Sequence, residues 1–370
     1  PKAAHFGDYQ CDLAPSMFDA FLKQLKSVQP KPHAIVWTGD YTPHDIWNET
    51  STEQLQRLQR LAKTIENEID VPCFLSMGNH DTYFVDQFQS QMAKSTLVHD
   101  DFRWLLDGLA GAWQLPASAA ASFRQGGYYA ATLTPGLRVL AINSAGWDGF
   151  NWYLYLKDAK ADDMIHFIKQ ELSSARLQKS KVLIIGHIPL VTGNDNRPAS
   201  VLIDYADLIV EFQDVIVGQL FGHTHNDEFQ LVSDKNNNNK PISMQYIAPS
   251  LTTFTNINPS FRTYALNATT FEIMDYIQYR VDLESINKNK LQPHWSIAYA
   301  ARQEYDLLSL SPQSWSDLID QIETNSTIQQ RYLSNYYTGR PFQFDKADWK
   351  KHLCRLRGTT PTDVLKCIHK

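Results

Sequence analysis

Four short segments of this chain combine glycine with carboxylate, amide or imidazole side chains, the residue types that bind divalent metals. They are Gly39-Asp40, Gly78-Asn79-His80-Asp81, Gly186-His187 and Gly222-His223-Thr224-His225. Each follows an apolar run typical of a buried strand. The carboxyl ends of the strands are where open α/β sheets bind their ligands. The four segments therefore predict one shared metal site at that edge of a sheet.

A site for two cations needs a bridging carboxylate and neutral ligands that leave the metals with net positive charge. Asp40 suits the bridge and Asn79 offers a carbonyl oxygen. Three imidazoles, which suit zinc and similar ions, come from His187, His223 and His225. Two such cations generate a hydroxide and stabilise a phosphoryl group during displacement. Alone, Gly-Asp is typical of a turn and His-x-His of surface imidazoles, but four segments in this order, each at a strand end, favour the metal site.

The elements that must position these residues alternate along the first two-thirds of the chain. Apolar spacing predicts helices over 16–28 and 53–69 and strands over 34–37, 71–77, 137–142, 182–185 and 215–221. This alternation predicts an α/β fold with a largely parallel sheet. Further strands at 244–248, 264–266 and 271–279 indicate a second sheet, and the sequence becomes helical and aromatic after residue 286. We therefore predict a first domain over 1–286 and a C-terminal helical subdomain over 287–370.

Composition and charge narrow the class of protein. A net charge of −6 in 370 residues argues against a nucleic-acid binder. No apolar run approaches the roughly 18 residues of a transmembrane helix. Cys354 and Cys367 lie 13 residues apart, a loop that a disulfide could close. With the glycosylation sequons at Asn48, Asn267 and Asn325, they favour a secreted or lysosomal protein.

The order of the four segments resembles that of the calcineurin-like metallophosphoesterases. Longer stretches narrow the resemblance to the acid sphingomyelinase branch, including its acid sphingomyelinase-like phosphodiesterases: 37–47, 186–189, 221–229, 248–254 and 258–262. With the Cys354 and Cys367 spacing, the resemblance covers essentially the whole chain. It implies a four-layer α-β-β-α sandwich with a C-terminal helical subdomain, and a metal-dependent phosphodiester hydrolase.

The resemblance also implies a metal role for five residues. Asp40 would bridge two divalent metals, which we expect to be zinc. Asn79, His187 and His223 would complete the coordination of one metal, and His225 would be a ligand of the other.

Two further histidines have implied catalytic roles. His80 would protonate the departing alkoxide, and His44 would assist at the leaving or a non-bridging oxygen. An alcohol leaving group needs a proton, and imidazolium is well populated at lysosomal pH. The alternative for His44 is a structural hydrogen bond at the entry to the following helix.

The sequence departs from the family pattern in two ways. The family begins its site with Asp-x-His on a first strand, and no such pair precedes Asp40. We expect that piece on a cleaved N-terminal fragment or a separate chain, where it would also supply a partner for Cys11. A saposin-like lipid-extracting domain is absent too. The substrate therefore stays open between sphingomyelin and a soluble phosphodiester or nucleotide, and an inactive binding protein is the alternative from another class.

The aromatic stretch 147–155 has two interpretations. Trp and Tyr favour membrane interfaces, so this stretch predicts a peripheral membrane contact. Ordinary packing in the protein interior is an equal alternative.

Overall fold

A computed structural model of the chain describes residues 3–89, 102–155, 162–192, 199–341 and 345–370. In chain order, its elements are α1 Pro15–Ser27, β1 Ile35–Trp37, α2 Ser51–Glu68, β2 Cys73–Leu75, α3 Arg103–Ala112, α4 Ala117–Gly126, β3 Tyr129–Thr134, β4 Leu137–Ala141, α5 Asp162–Leu177, β5 Lys181–Ile185, α6 Ala199–Glu211, β6 Ile216–Phe221, β7 Glu228–Asp234, β8 Lys240–Ile247, β9 Ser260–Leu266, β10 Ile273–Arg280, α7 Leu283–Asn289, β11 Ser296–Ala300, α8 Ala301–Glu304, α9 Pro312–Thr324, α10 Ser326–Tyr336, α11 Lys346–Arg357 and α12 Pro361–Ile368. The predicted mixed α/β fold with a helical C-terminal region is confirmed.

The chain divides into two compact units. The internal unit comprises His33–His223 with Thr360–Thr362. The terminal unit, which contains both chain ends, comprises Pro1–Pro32, Thr224–Thr359 and Asp363–Lys370. The predicted boundary between a first domain and a C-terminal subdomain, at residues 286 and 287, stays a prediction.

The internal unit is built on parallel strands. β1 and β2 pair in parallel, with Ile35 opposite Cys73 and Trp37 opposite Leu75. In its other sheet β3 runs antiparallel to β4, and β4, β5 and β6 run parallel to one another. The hydroxyl of Tyr129 on β3 lies 2.9 Å from both the N–H and the carbonyl of Leu75, which joins β2 to β3.

The strand before the Gly186-His187 segment is anchored by buried side chains. Ile184 and Ile185 of β5 are fully buried, as expected of a parallel strand covered on both faces. The four metal-type segments begin one to three residues after β1, β2, β5 and β6 end. The predicted position of every segment at a strand end is therefore confirmed, although β2 is shorter than the predicted strand over 71–77.

The terminal unit contains antiparallel sheet and helices. β7 and β8 form a hairpin around the asparagine run at 236–239, and β9, β10 and β11 form a three-stranded antiparallel sheet. The strand β11 lies within the segment that the sequence predicts to be helical; five residues are too few for their periodicity to be decisive. Trp315 of α9 is fully buried and contacts the rings of Phe229 on β7, Tyr246 on β8 and Tyr276 on β10. Among the residues that the structure describes, no helix combines the length and the apolar character required for a membrane span.

Candidate metal centre

The turn after β1 places the Asp40 carboxylate against the turn after β2. Gly39 and Asp40 have φ of 95° and 56°, both in the left-handed region. A Cβ on Gly78 would lie 2.0 Å from Asp40 Oδ1, so this close approach requires glycine. The backbone N–H of His80 donates to Asp40 Oδ1 at 3.0 Å, leaving Oδ2 to face the other site residues.

Asp81 holds the two turns together. Its side chain is fully buried and accepts three backbone hydrogen bonds. Oδ2 accepts from the N–H groups of Asp40 and Gly78 at 2.9 and 2.7 Å, and Oδ1 accepts from Tyr41 at 2.7 Å. The left-handed turn of Asp40 is therefore fixed by a residue from the next strand-end loop.

Asn79 presents its amide oxygen to two imidazoles. Oδ1 lies 2.9 Å from His187 Nε2 and 3.1 Å from His223 Nδ1. On the other side of the amide, Nδ2 donates to Asp86 Oδ1 at 2.8 Å. Because a carboxylate only accepts, Asp86 fixes which end of the Asn79 amide faces the site.

His187 is oriented by two groups outside the cluster. Its Nδ1 lies 2.6 Å from the Thr38 carbonyl, a contact that requires the proton on Nδ1. Its backbone N–H and that of Ile188 donate to Ser144 Oγ at 3.0 and 2.7 Å. Nε2 therefore turns its lone pair toward Asp40 Oδ2 at 3.0 Å.

These side chains form a group that fits a cation. The ligand atoms of Asp40, His187 and His223 lie within 4.8 Å of one another, and His223 Nδ1 is 3.3 Å from His187 Nε2. Carboxylate, amide oxygen and imidazole nitrogens thus converge with more lone pairs than protons. A divalent cation would satisfy all of them at once, and the donor set suits zinc or a similar ion.

The charges of the group are coupled. Burial alone would raise the pKa of Asp40, but the imidazoles of His187, His80 and His223 together hold it far below its ordinary value. Burial would lower the pKa of His187, and the Asp40 carboxylate outweighs it and raises that pKa. The neighbouring imidazoles therefore favour the ionised form of Asp40, the form that the predicted bridging role requires.

His44 and His80 form a pair. Their ring centroids are 4.4 Å apart. The carbonyl of His80 accepts hydrogen bonds from Thr42 Oγ1 and from Gln54 Nε2, the latter at 2.7 Å, which fixes the backbone of the loop. Helix α2 begins with a capping box between Thr50 and Glu53, so His44 lies well before its entry. The catalytic roles of both histidines stay predictions.

His225 belongs to the terminal unit. Its Nδ1 lies 3.3 Å from the Phe254 carbonyl and 3.2 Å from Thr255 Oγ1, and its φ of 65° is left-handed. Two residues later, the buried Asp227 pairs with Arg262 at 2.6 Å. The role of His225 as a ligand of the second metal stays a prediction.

The remaining predicted positions lie in the terminal unit or on exposed loops. Cys354 and Cys367 form the expected disulfide between α11 and α12. Cys11 is a free cysteine of intermediate exposure, and its carbonyl accepts from Thr253 Oγ1 at 2.9 Å. The three sequon asparagines are surface positions: Asn48 and Asn325 are exposed and Asn267 is half-buried. Their glycosylation stays a prediction.

The sequence did not single out the residues that orient the ligands. Asp81 and Thr38 lie inside motifs that the sequence analysis named but were given no role, while Asp86 and Ser144 belong to no pattern. Only the acidic residue directly after the Asn-His pair was a usable signal, because Asp accepts several backbone N–H groups in tight turns.

The family models match along the chain in two parts. Residues 1–227 match the model described as Calcineurin-like phosphoesterase. Residues 240–356 match the Acid sphingomyelin phosphodiesterase C-terminal region. The first match alone covers more than half of the chain.

Curated relatives agree with this assignment. The chain is 33% identical over 377 residues to Sphingomyelin phosphodiesterase A of Dictyostelium discoideum, covering 99% of this chain and 62% of that protein. It is 30% identical over 349 residues to Sphingomyelin phosphodiesterase of Bos taurus, covering 92% and 55%. It is 26% identical over 349 residues to Cyclic GMP-AMP phosphodiesterase SMPDL3A of Homo sapiens, covering 90% and 74%. The chain thus spans less than two-thirds of the first two, and it belongs to the calcineurin-like phosphoesterase family, with the C-terminal region of the acid sphingomyelin phosphodiesterases.

Proposed function

We propose that this chain is a metal-dependent phosphodiester hydrolase that cleaves sphingomyelin or a closely related lipid phosphodiester. The observation that carries the proposal is the convergence of Asp40, Asn79, His187 and His223 beside the His44 and His80 pair. The relatives named as sphingomyelin phosphodiesterases support the lipid substrate. The disulfide between α11 and α12 supports a secreted or lysosomal setting.

The metals, which we propose to be two zinc ions, would supply a nucleophilic hydroxide and neutralise charge on the phosphoryl oxygens. Asp40, Asn79, His187 and His223 would hold one ion, and Asp40 and His225 would contribute to the other. The Thr38 carbonyl keeps the proton of His187 on Nδ1, and Asp86 keeps the Asn79 oxygen turned inward. The ligands thus need little rearrangement on binding.

The proton for the leaving group would come from His80. Its backbone is fixed on both sides: the N–H donates to Asp40 and the carbonyl accepts from Gln54. The His80 ring would serve as the acid at the leaving oxygen, and the neighbouring His44 would bind a phosphoryl or leaving oxygen. Imidazolium is well populated at acidic pH, where the departing alkoxide needs its proton.

The test compares substrates whose leaving groups differ in their need for that proton. His80→Ala should lower hydrolysis of sphingomyelin about 10²–10⁴-fold, the usual contribution of a general acid. It should affect a nitrophenyl phosphodiester far less, because nitrophenolate departs without protonation. Asp40→Asn and chelation should abolish hydrolysis of both substrates.

Metal content and substrate comparison complete the test. Elemental mass spectrometry of active protein should give about two zinc per chain, as expected of a two-metal site. No hydrolysis of any diester by metal-loaded protein would contradict the proposal and favour a binding protein. The relative named as a cyclic GMP-AMP phosphodiesterase makes a nucleotide diester the second candidate. Faster hydrolysis of a cyclic dinucleotide than of sphingomyelin would identify the nucleotide diester as the substrate.

A further inference from the structure

The backbone of His225 is held in an unfavourable conformation. Its φ of 65° lies in the left-handed region, which is strained for a residue that carries a side chain. Such a conformation persists only where surrounding contacts hold it in place. The contacts made by residues 225–227 therefore decide how the His225 side chain is presented.

The main chain is anchored on both sides of this position. The His225 carbonyl accepts from the Ser250 N–H at 3.1 Å. The Tyr336 carbonyl accepts from the Asp227 N–H at 3.1 Å and from Asn226 Nδ2 at 3.2 Å. These bonds fix the path of the main chain, and the Asp227 side chain adds a charged contact to them.

Both oxygens of the Asp227 carboxylate are bonded. Oδ1 accepts from Arg262 Nη2 at 2.6 Å, and Oδ2 accepts from the Tyr299 hydroxyl at 2.6 Å. The side chains of Arg262 and Asp227 are only 2% and 6% exposed. Hydrogen bonds that involve charged groups are stronger than neutral ones, and water does not compete for these buried atoms. Asp227 is therefore fixed from two directions.

Arg262 on β9 is itself held rigidly. Its Nε donates to Gln278 Oε1 at 2.8 Å, and its guanidinium carbon lies 4.4 Å from the centroid of the Tyr276 ring. The Gln278 side chain in turn donates to the carbonyls of Phe261 and Tyr279 at 2.9 and 3.1 Å. A planar guanidinium can make these contacts in fixed directions, which a lysine ammonium cannot. Strands β9 and β10 thus provide a rigid support for the carboxylate.

The loop before β9 supports the other side of His225. The imidazole Nδ1 lies 3.3 Å from the Phe254 carbonyl. At the start of β9, the Ser260 N–H donates to the Ser250 carbonyl at 2.9 Å. The ring and the main chain of His225 are therefore both supported from β9, by its preceding loop and by Arg262.

We propose that Arg262, acting through Asp227, is a positioning residue that holds His225 in the orientation needed to bind the second metal. The inference rests on the proposed function, because it takes His225 as a ligand of that ion. Arg262 contacts neither metal nor substrate and acts only by fixing the left-handed turn.

The two metals provide a readout that a purely structural ion pair would not move. The four residues proposed to hold the first ion all belong to the internal unit, whereas His225, Asp227 and Arg262 belong to the terminal unit. Loss of Arg262 should therefore weaken the binding of one ion and spare the other.

The experiment is calorimetric titration of metal-free protein with zinc chloride, together with elemental mass spectrometry of the loaded protein. Wild-type protein should bind two zinc ions. Arg262→Gln should weaken the binding of one ion about 10–100-fold, the usual loss when a group that orients a ligand is removed, and change the other by less than about twofold. Arg262→Lys, which retains the charge and can reach one carboxylate oxygen, should recover part of the loss.

A double-mutant comparison identifies the ion that is affected. His225→Ala should weaken the same binding step as Arg262→Gln. In the His225→Ala background, Arg262→Gln should change zinc binding no further, because the ligand that it positions is already absent.

A milder change tests the same contact without removing a buried charge. Tyr299→Phe deletes one hydroxyl that donates to Asp227 and keeps the ring, so it should weaken the same step about threefold to tenfold. Tyr305→Phe is the matched control, because its hydroxyl is also buried in the terminal unit but accepts from Asn335 Nδ2 at 3.1 Å. The control should bind both ions as wild type does. Melting temperatures of the metal-free variants would establish folding.

The outcomes separate this inference from the proposed function. Folded Arg262→Gln protein that binds both ions with wild-type affinity would overturn the inference. So would an equal loss of both ions, or a further loss in the His225→Ala background. If Arg262→Gln does not fold, Tyr299→Phe decides, and zinc binding equal to that of Tyr305→Phe would overturn the inference. Wild-type protein that binds fewer than two zinc ions would instead contradict the proposed function, and this inference with it.

Discussion

Replacement of Asp81 by alanine should release the turn that presents Asp40. The Asp81 carboxylate accepts N–H groups of Asp40, Tyr41 and Gly78 at 2.7–2.9 Å. Each backbone donor left unpaired costs about 1–3 kcal/mol, so Asp81→Ala should lower the free energy of unfolding by on the order of 4 kcal/mol. Asp81→Asn keeps one carbonyl oxygen but places an amide NH₂ toward one of the donors. Asp81→Asn should therefore lower the free energy of unfolding by on the order of 2 kcal/mol.

The assay is denaturant unfolding of metal-free protein combined with metal titration by calorimetry. Asp40 has a left-handed backbone that costs about 1–3 kcal/mol to hold, so loss of the Asp81 contacts should let this turn relax and weaken metal binding as well. Asp207→Ala, which removes an exposed carboxylate of α6, is the control and should change both quantities little. If Asp81→Ala unfolded at the wild-type denaturant concentration and bound metal normally, the role assigned to Asp81 would be refuted.

Three further changes test other parts of the molecule. Asp86→Ala should weaken metal affinity about 10–100-fold by freeing the ligand amide to rotate, and Asp86→Asn, which retains an acceptor oxygen, should recover most of it in calorimetric titration. Serine at both Cys354 and Cys367 should lower the free energy of unfolding by about 2–4 kcal/mol, measured with denaturant under oxidising conditions. Burial and then Arg355 hold the pKa of His352 well below 6.5, so the unfolded chain takes up a proton below pH 6.5 while the folded chain does not. Stability should therefore fall as pH decreases through this range, by up to about 2 kcal/mol between pH 7 and 5, and His352→Gln should flatten this slope in denaturant unfolding.

The environment of His352 explains why its charge is disfavoured. Its Nδ1 accepts from Arg355 Nη2 at 2.8 Å, and its Nε2 lies 2.8 Å from the Tyr332 hydroxyl. Trp349 and Tyr336 cover the ring at centroid distances of 5.7 and 4.8 Å. Glu228 interacts electrostatically with the same Arg355 side chain. A second proton on the imidazole would face the guanidinium directly.

The sequence predicted the parts of the site that depend on strand periodicity. Apolar runs before Asp40, Asn79, His187 and His223 identified the strands, and parallel strands bring their carboxyl ends to one edge. The ligand set could therefore be grouped before its geometry was known. The exact strand bounds could not be predicted, because a run such as 71–77 continues its apolar pattern beyond the three residues that pair in β2.

The orientation of each ligand could not be predicted, because it depends on contacts between residues distant in sequence. Asp81 acts on Asp40 across 41 positions, and Thr38 acts on His187 across 149. Backbone carbonyls and left-handed turns carry no sequence pattern when the residue is Asp or His rather than Gly. The strand β11 was missed for a related reason, since its pairing with β10 is what stabilises so short a segment.

These contacts also explain how the fold holds the proposed metal ligands in an unfavourable arrangement. His187 Nε2 lies 3.0 Å from Asp40 Oδ2 and 2.9 Å from Asn79 Oδ1, so several atoms that could each bind a cation are crowded together. Alone these side chains would rotate away, but the His80 N–H holds Asp40 Oδ1, Asp86 holds the Asn79 amide and the Thr38 carbonyl holds the His187 ring. Packing of buried strand residues such as Ile184 and Ile185 offsets the cost of this arrangement, and a bound cation would remove that cost. Metal binding should therefore stabilise the internal unit as well as activate it, because the cation binds the folded loops and not the separated side chains of the unfolded chain.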